Sequence, residues 1–183
     1  MVRSQRRYLT SAAVAAAVIA ATSAAALPTG TFVANIDGSD MRRIAGPTEL
    51  AWYPDGERLL LAAQNALYRI AADGSGKTRV CYDPQVTEIW QTKIDASGVY
   101  VAATVTRKEK NPRDYAEHRL RVWDMGSGSI LLDEALEAFE AGGYFDFGWS
   151  GFSARLAWAL NDEYWTGHDN HYARLFDVPP TEP

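Results

Sequence analysis

Cysteine is almost absent from this chain of 183 residues, which has only Cys81. A single thiol cannot form an intramolecular disulfide, so the fold cannot be held together by one. Cys81 lies between Val80 and Tyr82 at the end of a predicted strand. We interpret it as a small buried apolar residue rather than a reactive thiol.

Recognisable catalytic motifs are also missing. The sequence has no G-x-S-x-G, no Walker loop and no Cys–His pair. We therefore predict that the protein is not an enzyme and that it has no catalytic residue and no cofactor. The turns Asp37–Asp40 and Asp73–Gly76 lack the alternating acids and distal glutamate of a calcium loop, so turn formation explains them.

The densest cluster of ligand-capable side chains is His168-Asp169-Asn170-His171, with Asp162 and Glu163 nearby. Zinc needs three or four ligands that converge on one point, and a short loop segment does not ensure this. We interpret the segment as a polar turn and predict no metal site. A metal-binding or catalytic role for this loop is the alternative.

Acidic residues outnumber basic ones, 23 to 18, so the formal net charge is −5. Arg3, Arg6 and Arg7 lie in the first segment of the chain, so the remainder is still more acidic. A nucleic-acid backbone requires clustered lysine and arginine, so no nucleic-acid partner is expected.

The sequence has no long, strongly hydrophobic run. Residues 1–26 combine a basic start, an uncharged stretch from Tyr8 to Ala21 and a cleavage pattern at Ala24–Ala26. This order is typical of a signal peptide, and it predicts a mature domain over 27–183 that is periplasmic or extracellular. The stretch is short and alanine-rich for a membrane helix, which needs about 20 residues; an uncleaved anchor is the alternative.

A hairpin pattern is present and recurs. Leu50–Ala63 reads as a strand, a tight turn and a second strand, with Tyr53-Pro54-Asp55-Gly56 supplying the turn formers. Trp149–Ala159 repeats it without a gap, and Asp95–Ala103 keeps the turn and the apolar exit strand. We predict that Trp52, Trp149, Leu59, Leu61 and Leu156 lie in cores.

A second repeated strand lies between the hairpins. In three copies of this strand an arginine precedes an aliphatic residue: Arg69–Ile70, Arg121–Val122 and Arg174–Leu175. Adjacent strand residues point to opposite faces, so each copy is predicted to be half-buried.

Repeats of about 40 residues with about four strands each are typical of propeller blades. Trp52-Tyr53-Pro54-Asp55-Gly56 resembles the W-S-P-D-G turn of TolB-like propellers, with tyrosine in place of serine. Arg121-Val122-Trp123-Asp124 is similar to the WD dipeptide of WD-repeat propellers. The resemblance implies a non-catalytic envelope protein that acts as a scaffold or binds a protein, peptide or glycan through its loops and channel mouth. A small envelope enzyme that uses the His168–His171 loop is the alternative, and the sequence identifies no binding residue.

The predicted fold is all-β, a partial or small propeller of about three to four four-stranded blades. A half-blade over Thr31–Ala45 precedes blades at 49–82, 88–132 and 144–178. A charged loop at Arg107–His118 interrupts the second blade, and Asp133–Ala141 is predicted to be a helical turn.

These segments give about thirteen strands, fewer than the roughly sixteen of a four-bladed ring. An open arc, closure of the last blade by the first strands, and pairing of two chains are all compatible with this number. We expect self-association, or docking on a partner, through the open edges.

Export gives the first testable prediction. When the full chain is expressed with its leader, the protein recovered outside the cytoplasm should begin at or near Leu27, because the A-x-A pattern ends at Ala26. N-terminal sequencing measures this directly. A protein that begins at Met1 or Val2 would support the uncleaved anchor instead.

Overall fold

The computed structural model describes residues 29–108, 117–136, 144–161 and 171–179. These residues form thirteen β-strands and no helix, so none of their elements is a helix able to cross a membrane. The strands are β1 (Thr31–Val33), β2 (Arg42–Ala45), β3 (Glu49–Trp52), β4 (Arg58–Ala63), β5 (Ala66–Ala71), β6 (Thr78–Tyr82), β7 (Val86–Ile94), β8 (Tyr100–Arg107), β9 (Glu117–Asp124), β10 (Ile130–Ala135), β11 (Tyr144–Trp149), β12 (Arg155–Asn161) and β13 (His171–Asp177).

The strands form antiparallel sheets in which every neighbour in space is also a neighbour in sequence. β1–β2 is a two-stranded sheet, β3–β6 and β7–β10 are four-stranded blades, and β11–β13 is a three-stranded blade. This arrangement confirms the predicted all-β propeller architecture. The first blade also has the predicted boundaries.

In the turns of the first two blades, an aspartate side chain accepts hydrogen bonds from the backbone nitrogens that follow it. In the first blade, Asp55 Oδ1 accepts hydrogen bonds from the backbone nitrogens of Glu57 and Arg58. In the second blade, the carboxylate of buried Asp95 accepts from the backbone nitrogens of Ser97, Val99 and Tyr100. Gly56 and Gly98 follow at φ of 70° and 74°, in the left-handed region where glycine is unstrained. The repeated sequence is thus a repeated turn.

Hydrophobic contacts fill the space between successive sheets in three clusters. The first joins β1–β2 to the first blade through Leu59, Leu61 and Ile70. The second lies between the first two blades, and the third between the second and third blades. Among the predicted core residues, Leu59, Leu61 and Leu156 are buried, whereas Trp52 and Trp149 are half-buried at the cluster edges because they end first strands.

Burial of the arginine–aliphatic pairs differs from the sequence prediction in two of three copies. Ile70 is buried and Arg69 half-buried, as expected. In the second blade Arg121 and Val122 are both buried, because neighbouring blades cover both faces of β9. In the third blade Leu175 is 68% exposed, because no described strand covers that face.

The predicted helical turn at Asp133–Ala141 is wrong over its first residues. Asp133, Glu134 and Ala135 are the end of β10 and pair with β9, where Asp133 lies opposite Arg121. Cross-strand pairing outweighs the partial helical spacing of the local sequence. Residues 137–141 lie outside the described part of the chain. The predicted charged loop Arg107–His118 is wrong at its ends, because Arg107 ends β8 and pairs with Glu117, which begins β9 together with His118. Residues 109–116 lie outside the described part.

A buried arginine connects the first two blades. The Arg121 guanidinium, 1% exposed, donates Nε and Nη2 to the two carboxylate oxygens of Asp133 at 3.0 and 3.2 Å, and Nη1 to Asp83 after β6. Arg119 adds a hydrogen bond to Asp133 at 2.6 Å. Burial disfavours the Asp133 anion, but hydrogen bonds from Arg121 and Arg119 outweigh it and lower the pKa of Asp133.

Removing this cation gives a stability prediction. Arg121→Ala should lower the free energy of unfolding by about 3 kcal/mol, because it leaves two carboxylates without their buried partner. Urea unfolding measures the change. Arg155→Ala is the matched control, since the Arg155–Asp177 pair is exposed and its loss should matter far less. Equal effects of both substitutions would show that the buried network adds no stability.

In every sheet the two outermost strands have an edge without a hydrogen-bonded neighbour among the described residues. The incomplete sheets at the two ends of the described chain have such edges on β1 and β2 and on β11 and β13. Self-association through them stays a prediction. The mass from light scattering should rise with concentration for the wild type, whereas Leu175→Lys should reduce the rise because edge charges oppose pairing. A wild-type protein that has the mass of a monomer at all concentrations would contradict the predicted self-association.

Candidate functional site

A cleft of about 900 Å³ lies between the first and second blades, at the end where their first strands begin. The first strands β3, β7 and β11 lie side by side, where a propeller has its central channel. The walls of the cleft come from the segment before β3, the β4–β5 turn, β7 and the start of β9. The lining residues are Pro47, Thr48, Glu49, Ala62, Ala63, Gln64, Glu88, Ile89, Trp90 and His118.

The first-blade wall is positioned by β3 and β4. Glu49 lies opposite Ala62 in the sheet, and its side chain is exposed. The Thr48 hydroxyl donates a hydrogen bond to the Ala62 carbonyl and fixes the chain before β3. Gln64 begins the tight turn with a φ of 53°, a left-handed conformation that is uncommon for a residue with a side chain.

The second-blade wall consists of side chains from β7 and β9, with the buried Thr106 of β8 between them in the sheet. Glu88 of β7 lies opposite Thr106 of β8, which lies opposite His118 of β9. His118 Nδ1 is 3.3 Å from the Thr106 hydroxyl. The Trp90 and His118 rings meet edge to face, with centroids 5.7 Å apart and planes at 77°. These contacts hold both rings in place.

Two irregularities in β7 flank Glu88 and Trp90. The register shifts between Val86 and Glu88 and again between Trp90 and Lys93. Gln91, inside the second bulge, has a φ of 52°, and its Oε1 accepts a hydrogen bond of 2.9 Å from the buried Thr104 hydroxyl. Bulges re-aim side chains and are frequent beside binding sites. The irregularity of β7 therefore presents its polar residues at the cleft.

The lining has an unbalanced charge. Its charged side chains are the carboxylates of Glu49 and Glu88, and no lysine or arginine belongs to the described lining. It also contains no serine or cysteine nucleophile, and its threonine hydroxyl donates to a backbone carbonyl. The arrangement suits recognition of a ligand by hydrogen bonds, ring contacts and negative charge.

The residues singled out from the sequence as ligand-capable are not among the described lining residues of the cleft. His168, Asp169, Asp162 and Glu163 lie outside the described residues, as does the His171 side chain, so a metal site there stays untested. In the described ranges, no three side chains of metal-ligating type converge.

Cys81 and the Asp-Gly-Ser turns agree with their sequence interpretation. Cys81 is buried in the cluster between the first two blades, and burial raises the pKa of its thiol to about 12, so the thiolate is scarce at neutral pH. Asp37 and Asp73 each accept hydrogen bonds from the backbone and hydroxyl of the serine two residues later, which lowers the pKa of both carboxyls.

The sequence prediction missed the cleft residues. Glu49 and Glu88 occupy first strands of successive blades and are separated by about one repeat, while His118 comes from the third strand of the second blade. None lies in a motif. An acid near the start of each first strand was the available signal, but only the packing of the blades brings these residues to one cleft.

Comparison with known proteins identifies the fold. No protein-family model and no curated protein sequence matches the chain. Among solved structures, the tricorn protease superposes with a TM-score of 0.55 at 12% identity, over 84% of this chain and 16% of that chain. TolB from Acinetobacter baumannii gives 0.53 at 11% identity, over 82% of this chain and 35% of that one.

A third similar structure is hydrazine synthase from Kuenenia stuttgartiensis, with a TM-score of 0.50 at 12% identity, over 79% of this chain and 43% of that chain. The chain therefore spans less than half the length of each of these structures. At such identities the similarity supports a TolB-like β-propeller fold alone, because propellers have many unrelated functions.

Proposed function

We propose that this chain is an exported, non-catalytic β-propeller module that binds a protein or peptide ligand of the cell envelope at the inter-blade cleft. The observation that carries the proposal is the cleft itself. It lies between the first two blades, where their first strands begin, and its lining includes Trp90, His118 and two carboxylates. A propeller offers its ligand sites at such positions because loops and first strands converge there.

The cleft has the composition of a recognition site. Its volume of about 900 Å³ lies within the range of about 300–1,000 Å³ for ligand pockets. Trp90 supplies a large rigid contact surface, and tryptophan is enriched among residues that dominate binding energy. Gln64, Glu49 and Glu88 supply polar groups that set orientation. A short peptide segment fits this combination of size and chemistry.

The non-catalytic part of the proposal rests on the lining side chains. Nucleophilic catalysis needs an accessible nucleophile within hydrogen-bonding reach of a base. In the described lining the Thr48 hydroxyl donates to the Ala62 carbonyl rather than to a base, and the Thr106 hydroxyl that His118 contacts is buried and does not line the cleft. These contacts favour a rigid binding surface.

Export to the envelope rests on the sequence. The order of basic, apolar and A-x-A segments in residues 1–26 favours it, and those residues lie outside the described structure. An envelope location makes proteins and peptides of that compartment the available ligands.

The test is capture from an envelope extract by mature protein of residues 27–183. Trp90→Ala should weaken capture about 30-fold, because a tryptophan that dominates binding contributes about 2 kcal/mol or more. Titration of the immobilised protein against the recovered ligand measures this. Trp90→Phe keeps an aromatic ring and should retain part of the affinity.

Phe152→Ala is the matched control, since Phe152 is a fully exposed aromatic residue in the turn after β11, away from the cleft. It should leave capture unchanged, and thermal unfolding verifies that each variant is folded. Equal capture by wild-type, Trp90→Ala and Phe152→Ala proteins would place binding elsewhere and refute the proposed site.

A further inference from the structure

We infer that the inter-blade cleft selects an organic cation: a guanidinium or primary ammonium group carried by a ligand the size of a few residues. This inference rests on the proposed function and specifies the ligand class of the same site. It follows from the charge, aromatic lining and shape of the cleft.

The two carboxylates of the cleft have no cationic partner in the described part of the chain. Elsewhere in the described chain, Asp55, Asp133, Asp146 and Asp177 each form an ion pair with an arginine or lysine. Glu49 and Glu88 form no ion pair with a described residue, and both side chains are exposed on opposite walls of the cleft. Two carboxylates facing a shared space favour a positively charged ligand.

The nearest arginine in sequence to His118 does not neutralise the cleft. Arg119 follows His118 in β9 and therefore points to the opposite face of that strand. Its guanidinium donates to Asp133 and Glu117, which are outside the cleft lining. Arg119 therefore leaves the charge of Glu49 and Glu88 available to a ligand.

Trp90 adds a second feature that favours cations. The tryptophan ring has a negative face and attracts guanidinium and ammonium groups more strongly than tyrosine or phenylalanine does. Trp90 lines the cleft, and its edge-to-face contact with His118 fixes the orientation of its ring. A cation in the cleft can thus interact with both the ring and the carboxylates.

The irregular β7 strand favours recognition through side chains. β7 is the last strand of its sheet on the inner side, but two bulges and the left-handed Gln91 interrupt its edge. Such interruptions oppose the pairing of an added strand. The ligand is therefore recognised mainly by its charged groups rather than by backbone pairing along β7.

Isothermal titration calorimetry of the mature protein tests the inference with two probes, the tripeptide Arg-Lys-Arg amide and spermidine. At low salt the protein should bind a cationic probe, and the affinity should fall as salt is added. The double variant Glu49→Gln with Glu88→Gln should weaken binding about tenfold or more, because it removes both charged acceptors. Tighter binding of the tripeptide indicates a basic peptide as ligand, and tighter binding of spermidine indicates a free polyamine; both outcomes support the cation class.

The control is Glu57→Gln, which removes one exposed carboxylate from the β3–β4 turn at the other end of the strands. It should bind as the wild type does, and thermal unfolding should show that all variants are folded. If neither probe binds, or if the double variant and Glu57→Gln bind alike, the inference is overturned. Loss of ligand capture in Trp90→Ala together with no cation binding would retain the binding site and reject only its cation selectivity.

Discussion

The structure depends on the burial of sheet faces between successive blades. In β8 every residue from Tyr100 to Thr106 is buried, so the usual strand alternation of buried and exposed residues disappears. This happens because the first blade covers one face of the second blade and the third blade covers the other. The blades stabilise one another by removing apolar surface from water.

The same packing determines which charged side chains can be buried. A buried guanidinium is costly unless carboxylates surround it. Arg121 meets this condition with Asp133 from its own blade and Asp83 from the connection that leads out of the first blade. At the surface, the exposed Lys93 side chain links the second blade to the third, with Asp146 at 2.8 Å and the Phe147 ring at 4.8 Å. Polar contacts thus fix the relative positions of blades whose apolar contacts are less directional.

The proposed site lies where this packing ends. The clusters between blades are apolar, but at the start of β3 and β7 the side chains become polar and the blades leave a cleft between them. Similar structures show that this fold occurs in a protease, in TolB and in hydrazine synthase. A fold shared by such different proteins does not determine function, and the proposal of a cationic ligand rests on the lining residues of this chain.

Local structure follows from short stretches of the sequence. Asp55 and Asp95 specify their turns through hydrogen bonds to residues within five positions, so the hairpins and about thirteen strands could be predicted. Contacts between distant segments decided the rest. Asp133 belongs to a strand because it pairs opposite Arg121, and Glu49 meets Glu88 at one cleft only when two blades pack. Hydrogen bonds within a turn depend on nearby residues alone, whereas burial and charge at a cleft depend on what the other blades place beside it.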